Sequence, residues 1–298
     1  MKKVIDFNTQ IFPPFMSRLP VAIQPWAART REMGKFWLRQ VANPLHEIHT
    51  RLRWLPPNVR NWVEPVSRLG NAPGLILDSG ADDLAQALSW AGADHAVISV
   101  PPTWAPREGG DEFLRKAAED HPALIPAVTL PFGNPNAAHR LRAEHAAGVR
   151  LARINAHLPA SVPTRLLTTA RELGTLLLFD GPAETLEGWL KRDPEATYVF
   201  LTMNGHDPEL AWDLAERYPG LWLETSRQPA EAVGEAVRRL GAERLLFGSD
   251  WPMIGNNINV GMERIRDCVS SAMITDEDSE KILGGNAAQL LERHGITV

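Results

Sequence analysis

The chain has 298 residues, 44% hydrophobic and 22% charged, with a net charge of −5. Those fractions exclude a disordered chain, a collagen-like repeat and a low-complexity scaffold, and the acidic balance excludes a general nucleic-acid binder. The single cysteine, Cys268, excludes an intramolecular disulfide and points to a reducing, cytoplasmic setting.

Met1-Lys2-Lys3 is basic, but Asp6 and Asn8 follow after two apolar residues, so no signal-peptide core is expected. No run approaches the roughly 18 apolar residues that cross a bilayer, so no membrane partner is expected. The first predicted strand covers residues 3–7. Residues 12–73 then break any strand–helix rhythm: they hold Trp26, Trp37, Trp54 and Trp62, with proline joints at Pro13-Pro14, Pro25, Pro44 and Pro56-Pro57. Residues 1–70 carry eleven Lys/Arg against four Asp/Glu, net +7, which leaves −12 on the other 228. We read 12–73 as a helical, Trp-rich insertion after the first strand. It serves as a flap packed on the body, a lid over an anionic substrate, or a homodimer contact.

From about residue 74 the pattern becomes regular. Apolar runs at 95–100, 123–130, 149–155, 176–179, 198–202, 221–225 and 245–248 predict strands. Helical patterns fall between them, at Ala81–Ala91, 137–147, 163–173, 184–191, Pro208–Arg217 and 229–240. With the first strand this makes eight βα units. They predict an α/β fold, a distorted (β/α)8 TIM barrel forming one domain over residues 1–298. An open doubly wound sheet is the weaker alternative, because no G-x-G-x-x-G follows any strand.

Chemistry in such a barrel sits at the C-terminal strand ends. The polar residues there are Asn8 and Gln10 after the first strand, then Arg153, Asn155 and His157 at the end of the fourth. Asp180 ends the fifth. Thr202, Asn204 and His206 follow the sixth, Glu224 and Ser226 the seventh, and Ser249, Asp250 and Trp251 the eighth. A strand-end polar residue is often only a turn former, so the argument rests on their convergence. His46-Glu47-Ile48-His49 is one residue short of H-E-x-x-H and reads as a helix surface. His121, His139 and His145 fall on helices or their edges, and Cys268 reads as packed within a helix.

Three segments carry a resemblance. They are Val4-Ile5-Asp6-Phe7-Asn8-Thr9-Gln10, Leu246-Phe247-Gly248-Ser249-Asp250-Trp251-Pro252 and Ile282-Leu283-Gly284-Gly285-Asn286-Ala287-Ala288. They resemble landmarks of the amidohydrolase superfamily, in its amidohydrolase-related branch of lactonases, hydrolases and non-oxidative decarboxylases. Gly148-Val149-Arg150-Leu151-Ala152-Arg153-Ile154-Asn155 is most similar to the dicarboxylate- and sugar-lactonase members. The resemblance covers most of the chain outside 12–73, and it implies a metal held by Asp-x-His-x-His on the first strand. Here those two histidine positions are Asn8 and Gln10. The fifth- and sixth-strand histidines are matched by Asp180 and Thr202, and only Asp250 keeps the family residue.

Amides and hydroxyls are poor zinc ligands, so a classical zinc site is not expected. Two alternatives remain. One is a site with no metal cofactor. The other is a Mg²⁺ or Ca²⁺ site built from the oxygens of Asn8, Gln10, Asp180, Thr202 and Asp250. With two charged ligands among the five, the metal-free site is preferred. The resemblance then implies Asp250 as the base that activates water. Asp180 would complete a carboxylate pair, and Arg153 would hold a substrate carboxylate or a developing oxyanion. Asn8, Gln10, Asn155, Thr202, His157, His206 and Trp251 would contact the substrate.

The expected function is hydrolysis of a small, carboxylated lactone, amide or related carbonyl compound. A non-oxidative decarboxylase on the same barrel is the enzymatic alternative, alongside other non-hydrolytic chemistry. A catalytically inactive homologue that binds a ligand or a partner is the other.

Overall fold

The structure is a computed structural model that describes residues 3–12, 79–101, 109–131, 135–156, 164–205, 207–252 and 258–298. The insertion at 12–73 lies outside the described residues apart from Phe12, and so do His157 and His206.

Eight parallel strands alternate with helices in one continuous order. They are β1 (Ile5–Gln10), β2 (His95–Ser99), β3 (Leu124–Pro131), β4 (Leu151–Asn155), β5 (Leu176–Asp180), β6 (Tyr198–Phe200), β7 (Leu221–Glu224) and β8 (Leu245–Leu246). Between them run α1 (Ala81–Ala91), α2 (Gly110–Asp120), α3 (Ala137–Ala146), α4 (Thr164–Leu173), α5 (Ala183–Leu190), α6 (Pro208–Arg217) and α7 (Ala230–Leu240). After β8 come α8 (Ile258–Ser270), α9 (Asp276–Glu280) and α10 (Asn286–Arg293). Each strand pairs with the next, and β1 meets β8 through Phe7 N–H to Phe247 O at 2.8 Å and Gln10 N–H to Trp251 O at 2.8 Å. Those bonds close the sheet, so the fold is a (β/α)8 barrel rather than an open doubly wound sheet.

Strand periodicity sorts the side chains into two apolar regions. Residues such as Leu177, Phe179, Tyr198, Phe200, Leu221, Leu223, Leu245 and Phe247 face the helices. Their neighbours Leu176, Leu178, Val199, Trp222 and Leu246 join Ile5, Phe7, Val97, Ile125, Ala127 and Leu151 in the barrel interior. This is the period-2 alternation of a pleated strand, with both faces buried. Each fully buried large side chain contributes about 1.5–3 kcal/mol.

The end of the barrel opposite the strand tips is closed by α10, whose Ala287, Leu290 and Leu291 join the interior cluster. Asn286 anchors it, donating through Nδ2 to Ala242 O at 2.7 Å and Leu245 O at 2.8 Å. The asparagine of the C-terminal motif thus holds a helix against the start of β8, at the end of the barrel opposite the strand tips.

Predicted and observed elements differ mainly at strand ends. The sixth strand stops at Phe200 because Leu201–Asn204 turns into a 3-10 segment. The eighth is reduced to Leu245–Leu246, since the backbone beyond it leaves the ladder to form the site. Cys268 is buried within α8, as its place in the helical pattern predicts. Among the described residues, no helix is long and apolar enough to cross a membrane.

Candidate active site

The barrel interior is apolar for most of its height and turns polar at the C-terminal strand ends. The same alternation that buries Leu176 and Leu178 places Asp180 inside; the one that buries Leu151 places Arg153 and Asn155 inside. On β1 the register shifts between Asp6 and Thr9. Such a bulge re-aims a side chain, and here it turns Asn8 into the interior after Phe7.

Arg153 is the hub. It is 4% exposed, and its Nε and Nη2 donate to Asp180 Oδ2 at 3.1 and 2.7 Å. Its Nη1 donates to Asn8 Oδ1 at 3.0 Å and to Ser99 Oγ at 3.2 Å. Four of the five guanidinium N–H groups are thereby used. Asn155 Nδ2 reaches the same Asp180 oxygen at 3.5 Å.

Asn8 passes the network on. Its Nδ2 donates to Glu224 Oε2 at 2.9 Å and to Ser226 Oγ at 3.1 Å. Glu224, at the end of β7, is fully buried and collects further donors. Thr202 N–H donates to its Oε2 at 3.0 Å, Ser226 Oγ–H donates to the same oxygen at 2.8 Å, and Ser226 N–H donates to Oε1. The carboxylate rests against Gly248, where a Cβ would lie 2.1 Å from Glu224 Oε1. Only glycine leaves room for it. Burial pushes the Glu224 carboxyl up to about 7 against the pull of these hydrogen bonds, with the nearby Asp250 charge adding to the rise.

Asp6 ties β1 to β8. Its Oδ1 accepts from Asn8 N–H at 3.2 Å and Ser249 N–H at 3.0 Å, while Oδ2 has no hydrogen-bond partner among the described residues. Burial raises this carboxyl to about 7, opposed by the hydrogen bonds from Ser249 and Asn8 and reinforced by Glu224. Beside it, Trp251 is fully buried, and its N–H donates to Ser249 Oγ at 3.0 Å. The indole Nε1 has no hydrogen-bond partner among the described residues.

Asp250 meets a different cation, Arg227, whose Nε donates to Asp250 Oδ2. The Arg227 side chain is 30% exposed and that of Asp250 only 3%. Both residues have left-handed backbones, at φ 62 and 57, as do Thr202, Met203 and Asn204 at φ 60, 42 and 63. Non-glycine residues hold such conformations at a cost of about 1–3 kcal/mol each, and they concentrate where function needs them. Gln228 fixes the strained turn, donating to Thr202 O at 2.6 Å and Gly205 O at 2.8 Å.

Of the expected site residues, Asn8, Arg153, Asn155, Asp180 and Thr202 meet in one network, and Asp250 stands on the same rim beside Arg227. Gln10 is half-buried at the tip of β1. Asp180 and Asp250, expected to face one another as a carboxylate pair, each engage their own arginine. Burial raises the proton affinity of Asp6 and Glu224, two carboxylates of the same rim. Sequence reasoning placed Glu224 and Ser226 at a strand end without giving them a role, and it passed over Asp6, Ser99 and Arg227. Ser99 is legible as the polar residue next to the end of the apolar run at 95–100. Arg227 had no such signal, because only the turn after β7 brings it to Asp250. Among the described residues no group of three or more His, Cys, Asp or Glu could hold a metal ion.

A family model described as amidohydrolase matches residues 76–293. No curated protein sequence matches the chain. Solved structures share the fold at low identity. An uncharacterised TIM-barrel protein of Bordetella bronchiseptica superposes with a TM-score of 0.65 at 19% identity, covering 98% of this chain and 99% of that one. A 5-carboxyvanillate decarboxylase from Sphingomonas paucimobilis gives 0.63 at 15%, with 98% and 99% covered. A probable 2-pyrone-4,6-dicarboxylic acid hydrolase from Acinetobacter baumannii, with citric acid bound, gives 0.61 at 14%, with 99% and 100% covered.

Proposed function

This chain belongs to the amidohydrolase family, and from that premise we propose that it hydrolyses a small carboxylated lactone or related carbonyl compound without a bound metal. The observation that carries this reading is the Arg153–Asn8–Glu224 network. Asn8 points an amide N–H pair at Glu224 and Ser226, and its only oxygen already accepts from Arg153. Asp180 is likewise complemented by a guanidinium, and so is Asp250. A divalent cation needs electron-rich oxygens without competing cations, and here the Asn8 oxygen and both carboxylates are each complemented by a guanidinium. The donor set therefore does not fit the metal that the fold family implies.

In the proposed reaction Asp250 accepts a proton from water as the water oxygen bonds to the substrate carbonyl carbon. The C–O bond of the lactone then breaks, and the leaving alkoxide takes the proton back from Asp250. The sum is lactone plus water giving a hydroxy acid. Arg153 keeps one N–H beyond the four that are used, and this donor stabilises charge on the carbonyl oxygen. Asp180 holds the guanidinium in place for that task. Gln10, Asn155 and Thr202, which are partly exposed on the rim, contribute to the substrate surface. Carboxylates recur in the compounds named for the similar folds, 5-carboxyvanillate and 2-pyrone-4,6-dicarboxylate, which supports an anionic substrate.

The decarboxylase similarity favours a second reading, in which the same rim releases CO2. Product analysis separates the two. We expect 2-pyrone-4,6-dicarboxylate or a related carboxylated lactone to be opened by chelator-treated protein, and Asp250→Asn to lower kcat about 10²–10⁴-fold. Stoichiometric zinc with loss of turnover on chelation would overturn metal independence. Release of CO2 from 5-carboxyvanillate would replace hydrolysis with decarboxylation.

A further inference from the structure

We infer that Glu224 is the positioning residue of this site: through Asn8 it fixes the rotation of Arg153, so that the guanidinium presents the second N–H of Nη2 to a substrate oxygen. The inference rests on the proposed hydrolytic reading for the use of that N–H, and it adds the residue that aims it.

The hydrogen-bond directions leave one arrangement. Arg153 Nε and Nη2 donate to Asp180 Oδ2, and the two hydrogens of Nη1 go to Asn8 Oδ1 and Ser99 Oγ. Of the five guanidinium hydrogens, the one without an acceptor among the described residues is therefore the second on Nη2. Ser99 spends its own hydrogen on Thr9 O at 3.2 Å, so toward Arg153 it can only accept. At the other end Ser226 Oγ–H donates to Glu224 Oε2 at 2.8 Å, so toward Asn8 Nδ2 it likewise accepts. The Asn8 amide lies between these fixed ends, and its orientation decides whether Nη1 finds an acceptor.

Glu224 decides that orientation. Its carboxylate accepts from Asn8 Nδ2 at 2.9 Å, from Thr202 N–H at 3.0 Å and from both Ser226 donors. Turning the amide over would set Asn8 Oδ1 against the carboxylate and Nδ2 against the guanidinium. Asn8, Glu224 and Arg153 are all buried, so neither clash could be relieved by turning to water. The amide dipole thus lies between an anion and a cation, with its N–H end toward Glu224 and its oxygen toward Arg153. The carboxylate itself is seated on the tip of β8, where a Cβ at Gly248 would lie 2.1 Å from Oε1. Its bond to Thr202 reaches a residue in left-handed backbone, so the same group also anchors the turn after β6. A glutamine in its place could keep the donors on Oε2 only by setting its NH2 against Ser226 N–H.

The test is hydrogen exchange at the arginine Nε–H groups, read by heteronuclear NMR of the intact protein, with no turnover involved. We expect Glu224→Gln to speed exchange at Arg153 Nε–H at least about tenfold. Arg140 on α3, whose Nε donates to Asp111 at 2.6 Å, should be unchanged. With Asn8 cut back (Asn8→Ala, or Asn8→Val if alanine does not fold), Glu224→Gln should alter Arg153 exchange less than about twofold, because the relay is already broken. Glu224→Asp, which keeps the charge but draws it back from Asn8, gives the same reading should the glutamine variant fail to fold. No change at Arg153 overturns the proposal, since Glu224 is then scaffold alone. Equal acceleration with and without Asn8, or acceleration shared by Arg140, also overturns it, because those outcomes are a long-range field and general loosening. On a substrate that is turned over, Glu224→Gln should lower kcat about 10²-fold and leave KM within about threefold, since the aimed N–H acts on charge that develops in the transition state. A loss carried by KM alone overturns the positioning role. If the exchange cycle behaves as expected and no lactone is opened, the positioning of Arg153 stands and the hydrolase reading falls.

Discussion

The rim carries two arginine–aspartate pairs, and they differ in nearly every physical respect. Arg153–Asp180 is sunk in the barrel, and the guanidinium is locked by four hydrogen bonds to three side chains. Arg227–Asp250 is held by one described bond, and its cation lies partly in solvent. A buried guanidinium must have nearly all its donors matched, since each lost partner costs free energy that water cannot return. The exposed one can exchange partners with water or a ligand at little cost. The first pair is buried architecture, and the second is a more exposed contact.

The largest break in that comparison comes from Arg153→Met. It removes the buried cation that Asp180 and Asn8 share, and we expect about 3–5 kcal/mol less stability in urea unfolding. A loss below about 1 kcal/mol would show that water already reaches the centre. Gly248→Ala comes next. The new methyl would collide with Glu224, displace its hold on Asn8, and lower stability by about 1–3 kcal/mol, read the same way.

Asp6 links the two pairs, because it binds the backbone of both Asn8 and Ser249. Asp6 and Glu224 both have carboxyls raised to about 7 in the fold. Between roughly pH 4 and 7 the folded form therefore binds protons that the unfolded chain has released. These two groups contribute stability that is present below about pH 4 and is lost as the pH rises through 7. Asp6→Asn should flatten that slope by up to about 1 kcal/mol per pH unit in denaturation series at pH 4.5 to 7.5. An unchanged slope would show that Asp6 is ionised throughout. The smallest effect is expected from Arg227→Gly, about 1 kcal/mol or less, since glycine relieves the left-handed backbone and water can solvate Asp250 in the arginine's place. A loss matching that of Arg153→Met would erase the distinction between the pairs.

Much of the frame was legible in the chain. Ala81–Ala91 and Pro208–Arg217 were bounded correctly because Gly92 and Pro208 mark their ends by backbone conformation alone. Eight apolar runs separated by helices gave the barrel, and alternation along Leu176–Asp180 put Asp180 on the lumen side. The site was legible only in part. Asn8, Arg153 and Asp180 stood out as polar residues closing apolar runs, yet nothing in their spacing showed that Arg153 would bind the other two. The β1 bulge that turns Asn8 inward depends on pairing with β2, a strand some 90 residues away, so no local pattern reports it.

What the sequence determined by itself was periodicity, the alternation that selects a barrel and lines its mouth with polar groups. The tertiary structure decided which charges meet. Glu224 became the buried centre because Gly248, just beyond the neighbouring strand, leaves space for it, and Asp250 met Arg227 because two strained turns bring adjacent strand tips together. Periodicity is a local property of the chain, carried by backbone geometry over a few residues. Charge pairing depends on distances between strands, and those exist only once the sheet has closed.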